Sequence, residues 1–414
     1  MSIGYGRLPG WVYNGMYFKG FTDDYYVKNG KEKVRVVEME KKEMSLKNVV
    51  LFAGAICAYL IGSGFATGQE VLQFFTTSGT KGIIAALIFL VIMSVSTFIL
   101  CAIGQKEKFE NPYDVFEYYC GNTIGQVYVW YSVILNYCIF VVMLAGGGAT
   151  INQYYKTPTY IGTGVIAVLA LGTAVLGMDK LIKIIGVIGP IKIIFVAILG
   201  ISAIIALLGQ PTLLSEGSRA IQTLGIKSAS SNWAWSGALY TFLCLMMSIP
   251  FLVNCGAATR SQKEAKTVAI AGTVAFTVAI IMLVISELVN YKLIIGQQVP
   301  TLVIASHVSP ILETIFSVLI IIAIYSAVSS LLLMTVRKFA VDKTKKFNII
   351  ATALTVIGML FGGVIPFDKL VNVLYPVAGY SAIVFIGFMI SKELKIKFKK
   401  EETSIENEAL GEII

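Results

Sequence analysis

The run Ile61-Gly62-Ser63-Gly64-Phe65-Ala66-Thr67-Gly68-Gln69-Glu70 sets three glycines, two hydroxyls and an acid inside a segment that is otherwise apolar from about residue 47 to 77. Each glycine costs a helix about 1 kcal/mol relative to alanine, so this segment is expected to break near Gly62. The backbone amides after a break open a new half-helix, and Gly62, Ser63, Gly64 and Phe65 then form a positively polarised pocket suited to a carboxylate. The carbonyls before it can face a cation. Glu70 strengthens this reading, because an acid within a spanning segment marks function by default. A competing reading takes the glycines as a surface for close helix packing, with Glu70 solvated near the outer headgroups.

A second candidate is Lys192, inside an apolar run past Gly186, Gly189 and Pro190. An unpaired ammonium is expensive there, and a buried lysine can take up and release a proton. Snorkelling to the interface is the competing reading, although Lys180, the nearest end of the run, lies about 18 Å away at roughly 1.5 Å per residue. Ser326, Ser329 and Ser330 supply hydroxyls that could meet a cation or bond back to their own helix. Asn136 and Tyr137 sit mid-span, where they line a cavity or join helices. Tyr240 and Tyr375 are candidate pocket aromatics. His307 lies in a segment, 292–309, expected to act as an outer lid.

Positioning these residues requires spans. Of 414 residues 56% are apolar and 14% charged, against roughly 45–50% and about 25% in soluble domains. Ten apolar segments reach or approach the roughly 20 residues needed to cross a bilayer: 47–77 (interrupted), 81–104, 123–154, 160–177, 179–208, 232–257 (interrupted), 264–289, 310–336, 347–363 and 367–390. Of the 33 Lys and Arg residues, 26 fall on the side of the two termini and six on the other, with Lys192 inside a span. This predicts both termini in the cytoplasm of a plasma-membrane protein. The net charge of +9 is thereby spent on orientation, and no basic stripe on a soluble fold speaks for nucleic acid. The six cysteines, Cys57, Cys101, Cys120, Cys138, Cys244 and Cys255, show no paired or metal-binding spacing and read as buried thiols.

Ten spans with both ends inside divide into two inverted sets of five, residues 44–208 and 209–395, each opening on a helix that breaks itself. Such a pair points to a midplane binding site. Residues 1–43 mix aromatics, glycines and charges and are expected to form a cytoplasmic tail, or to precede a natural start at Met44; residues 396–414 form the other tail.

Ile-Gly-Ser-Gly-Phe resembles the Gly-Ser-Gly-Ile-Phe signature of the amino acid–polyamine–organocation superfamily, and the longer string through Gln69-Glu70 and Gln73-Phe74-Phe75 resembles its YkvI-type branch. The resemblance implies an all-α LeuT-like fold of five plus five helices with helices 1 and 6 discontinuous. It implies that Gly62, Ser63 and Gly64 hold a substrate carboxylate and that span 6, between Tyr240 and Ser248, supplies carbonyls for an amine. In span 6 only Ser248 and Pro250 suggest a distortion. Lys192, fifteen residues after Gly177, resembles the lysine that stands in for a sodium ion in this superfamily. Ser329 and Ser330 resemble the hydroxyl pair that coordinates sodium in other members.

The expectation is a secondary transporter of a small amino-acid-like solute, an amino acid or amine, coupled to protons or sodium and using no cofactor. A transporter-shaped receptor that binds a solute without flux is the alternative. No paired acids or His/Asp/Ser set suggests an enzyme.

Overall fold

The computed structural model describes residues 44–411, apart from 177, 224 and 342, together with residues 12–13 and 16–17; for 58, 63, 176–192, 377, 397 and 399–411 it describes the backbone alone. Val12–Tyr13 (β1) pairs antiparallel with Met16–Tyr17 (β2); the rest of the expected tail over 1–43 lies outside the described residues. The helices are α1 (Leu46–Leu60), α2 (Ser63–Ala66), α3 (Gln69–Phe74), α4 (Lys81–Glu107), α5 (Asp114–Tyr155), α6 (Thr159–Leu176), α7 (Met178–Gly209) and α8 (Leu213–Thr223). They continue as α9 (Trp233–Ala257), α10 (Gln262–Val289), α11 (Tyr291–Ile294), α12 (Pro300–Val308), α13 (Pro310–Arg337), α14 (Lys345–Val364) and α15 (Phe367–Gly411).

Among the described residues, seven helices are long and apolar enough to cross a membrane, eight if α7 from Ile193 and the sharply bent α8 count as one span, and α1 and α6 are shorter apolar helices. This agrees with ten spans at the expected places. Val91, Ile134, Val168, Ile205 and Leu360 all face outward, each more than half exposed, which suits lipid and not water. Local signals set the helix starts. Asn232 accepts from the amides of Ala234 and Trp235 at 2.9 and 3.1 Å, Ser261 from Glu264, Ser309 from Ile311 ahead of Pro310 at the first helical position, and Thr344 from Phe347. In α5 the chain kinks at Gly121, with φ 75°, so the spanning part begins just beyond it, close to the expected residue 123.

The first span is broken as expected. α1 ends at Ile61, whose ψ of 75° leaves the helical region, and α2 begins at Ser63. A second interruption was not foreseen: Gly68 is left-handed (φ 83°) and separates α2 from α3. The expected discontinuity of span 6 is corrected. α9 runs unbroken from Trp233 to Ala257 with Pro250 inside it. One proline removes a single amide donor, and no glycine between Gly237 and Gly256 gives the backbone a place to leave the helix.

Packing sorts the helices into two bodies. α1, α4, α9 and α10 pack on one another, as do α5, α6, α13 and α14; α7 and α15 touch both bodies. The first two spans of each expected half thus meet in one body and the next two in the other. The tightest crossing is α4 on α9, where a Cβ on Gly104 would meet the Val253 carbonyl and one on Gly256 the Cys101 carbonyl. Small residues let these backbones touch. Among the expected glycine functions, close packing therefore belongs to these positions more than to the first span.

Candidate functional site at the broken first helix

Both halves of the first span are held by other elements. The α2 segment lies against α5 and α13, and α3 against α9, α10 and α15. The carbonyls exposed at the Thr67–Gly68 interruption are taken by α12: the Thr301 hydroxyl donates to the Ala66 carbonyl at 2.7 Å, and the Thr301 amide to the Thr67 carbonyl at 3.2 Å. The Thr67 hydroxyl donates to the Gly64 carbonyl at 2.8 Å. On the Gly62 side, a Cβ would sit 3.8 Å from the Met143 methyl of α5. The first-turn amides of α2 have no carbonyl a turn earlier in the same helix.

Glu70 is buried, and its Oε2 accepts from the Tyr240 hydroxyl of α9 at 2.8 Å. Its carboxyl folds back over Gly64, where even a methyl group would collide with it. The Tyr375 hydroxyl lies beside the same carboxyl but closes no hydrogen bond of acceptable geometry. Phe74, Phe75 and Phe89 stand 5.1, 5.2 and 5.7 Å from the Tyr240 ring, so the phenol that holds the acid is itself packed among aromatic rings. One turn outward, Gln73 Nε2 donates to the Asp368 carbonyl of α15 at 3.0 Å, while the buried Gln69 and Gln73 Oε1 atoms find no protein donor. The reading of Glu70 as a solvated headgroup-level acid does not hold.

The other expected site residues divide. Asn136 is buried and lies two turns before Met143 on the same face of α5, toward the break. Tyr137 points away, donating to the Leu354 carbonyl of α14 at 2.9 Å, and so joins helices. Ser248 donates to the Cys244 carbonyl at 2.6 Å. Ser326, Ser329 and Ser330 donate to the carbonyls of Ala323, Tyr325 and Ser326 at 2.8, 2.8 and 2.9 Å. All four serines thus bond back to their own helices. The Lys192 side chain lies outside the described residues; its backbone is in α7. His307 is exposed on α12, within the segment expected to be a lid.

Two functional candidates were not foreseen. Glu287 of α10 is fully buried, and its Oε2 accepts from Thr76 Oγ1 at 2.6 Å. At the opposite end of α10 the fully buried Glu264 accepts from the Ser45 amide at 3.0 Å and from Asn48 Nδ2 at 3.3 Å, at the start of α1. The rule that singles out Glu70 applies equally to Glu287, but its place two residues from the end of the helix hides it.

This is the LeuT-type fold, an architecture of membrane transporters. No family model matches the chain. Two relatives come from Bacillus subtilis strain 168. The protein YyaD is 23% identical over 350 residues, covering 83% of this chain and 96% of YyaD. The membrane protein YkvI is 22% identical over 341 residues, covering 81% of this chain and 93% of YkvI. Among solved structures, MhsT in complex with L-phenylalanine matches with a TM-score of 0.56 and 17% identity over 84% of this chain and 90% of MhsT. Mhp1, a nucleobase-cation-symport-1 family transporter with bromovinylhydantoin bound, matches at 0.53 and 14% identity over 79% and 74%.

Proposed function

We propose that this chain is a secondary active transporter of a small amino-acid-like solute, working by alternating access in the plasma membrane with both termini cytoplasmic. The observation that carries the reading is the first span, broken at Ile61–Gly62 and again at Gly68, with the buried Glu70 folded over Gly64 and bonded to Tyr240 of α9. A broken helix at the midplane provides amides for a carboxylate. Glu70, held by Tyr240, provides an acceptor for an amine, and Asn136 lines the approach. The body of α1, α4, α9 and α10 then rocks against that of α5, α6, α13 and α14. The fold it shares with MhsT and Mhp1 supports the transporter class. Coupling falls to a proton or to sodium, with Lys192, Ser326, Ser329 and Ser330 as the positions the superfamily resemblance suggests.

The test is reconstitution in liposomes with a panel of radiolabelled amino acids and amines, under imposed proton or sodium gradients. Accumulation above equilibrium, abolished by Gly64→Val, is the expected result. Saturable binding with no flux under either gradient would overturn the carrier reading and favour a receptor.

A further inference from the structure

α10 carries one buried acid at each end, and each acid grips a different half of the broken first span. Glu264 binds the start of α1, and Glu287 binds Thr76, just past α3. The two differ in how completely they are satisfied. Both Glu264 oxygens accept hydrogen bonds, Oε1 also from the Arg260 amide at 3.4 Å. Among the described residues, Glu287 Oε1 has no donor although it is fully buried. It is aimed at the left-handed turn of Gly68, where a Cβ would come within 2.7 Å of it, 3.0 Å of the Thr301 methyl carbon and 3.2 Å of Pro300 Cβ. The unsatisfied oxygen therefore lies under α12, against the hinge of the outer half-helix.

A bare carboxylate oxygen in such a place is costly. The cations that could neutralise it are elsewhere. Lys81, Lys106 and Glu107 of α4, Glu216 and Arg219 of α8, Lys292 of α11 and His307 of α12 are the exposed titratable groups on these helices. None hydrogen-bonds or ion-pairs with Glu287 among the described residues, where the ion pair formed is Lys106 with Glu107. Tyr291 lies under Lys292, and Glu70 and Tyr240 are bonded to each other. The backbone of Lys192 lies far from Glu287 along the bundle. Gly200 of α7 packs on Met282 of α10; Lys192 lies eight residues before the one and Glu287 five residues past the other, in helices running the same way. At 1.5 Å per residue that separates them by about 20 Å along the bundle.

Resting on the transporter reading, we propose that Glu287 is a proton-binding site of the transport cycle, open to the outer solution when α12 lifts from the broken helix and sealed when it docks. On opening, a proton from outer water bonds to Oε1 and leaves a neutral carboxylic acid, while Oε2 keeps the bond from Thr76. Release to inner water, after the two bodies have rocked to the opposite state, returns the carboxylate, so one proton crosses per cycle. Docking of α12 is tied to the first span through Thr301 and its two bonds to the Ala66 and Thr67 carbonyls, so closure of the lid and occupancy of the proton site are coupled mechanically.

The proton itself is the probe. The full chain, reconstituted in lipid, is made alkaline stepwise and followed by infrared difference spectroscopy in the protonated-carboxyl stretch region. The expected result is a band lost on alkalinisation in the wild type, absent from Glu287→Gln and retained in Glu264→Gln. Thr76→Val, which keeps the acid, should shift the band without removing it; this guards against a Glu287→Gln chain that fails to fold. In proteoliposomes, Glu287→Gln should keep solute exchange at equal pH yet lose the roughly tenfold accumulation that one pH unit can sustain. Identical spectra for wild type and Glu287→Gln, or undiminished proton-driven accumulation by the variant, would overturn the proposal. Should the wild type move no solute of the panel, the transporter reading fails, and the infrared titration still decides whether Glu287 binds a proton.

Discussion

The two ends of α10 solve the same problem differently. Glu264 and Glu287 are both fully buried acids touching the first span, yet Glu264 is surrounded by donors and Glu287 is not. At the Glu264 end the carboxyl meets the Ser45 and Arg260 amides and the Asn48 side chain at the start of α1. This is a latch with both oxygens occupied. At the Glu287 end one oxygen is bound and the other faces Gly68 and α12. The same side chain thus fastens one half-helix and leaves the other able to change state, and the difference lies in the number of donors the neighbouring backbone offers.

Substitutions that break this comparison should differ in size. Gly68→Ala puts a side chain into a left-handed turn and against Glu287; a loss of about 1–3 kcal/mol is expected, read as a lowered melting temperature in detergent. Glu287→Ala in the same chain should restore part of it. Glu264→Ala removes a charged acceptor from the α1 start, which should cost about 1.5–3 kcal/mol. Hydrogen exchange at residues 46–52 should rise, while that of α3 stays unchanged. Tyr240→Phe loses one hydrogen bond to Glu70, and about 1 kcal/mol should appear as weaker solute affinity in exchange assays with little change in melting. The smallest effect belongs to Ser248→Ala, whose hydroxyl serves its own helix; less than about 0.5 kcal/mol is expected. Ser329→Ala sharpens the coupling question, because a back-bonded serine predicts unchanged ion dependence whereas a sodium ligand predicts its loss.

The span boundaries were legible because length and hydropathy are local properties, and ten apolar runs reappear at nearly the same residues. The break at Gly62 was legible too, since glycines weaken a helix wherever they occur. The second break was hidden: the groups packed against the left-handed turn of Gly68 are Glu287, Pro300 and Thr301, more than 200 residues away. Span 6 shows the opposite failure, for the family resemblance, with Ser248 and Pro250, suggested a discontinuity that a continuous helix absorbs. The serines were visible as hydroxyls, but composition cannot say that their protons point back along their own helices. Glu70 could be flagged from sequence, while its partner Tyr240 and the latch of Glu264 are contacts between distant spans.

The central claim is that the two halves of the first span move in turn as one body rocks against the other. Spin-label distances test it directly, with one pair at Lys47 and Lys345 at one end of the bundle and another at Lys81 and Tyr160 at the other, all exposed. In proteoliposomes under alternating proton or sodium gradients, the account predicts that one distance lengthens as the other shortens. Distances that stay fixed, or that lengthen together, would contradict it.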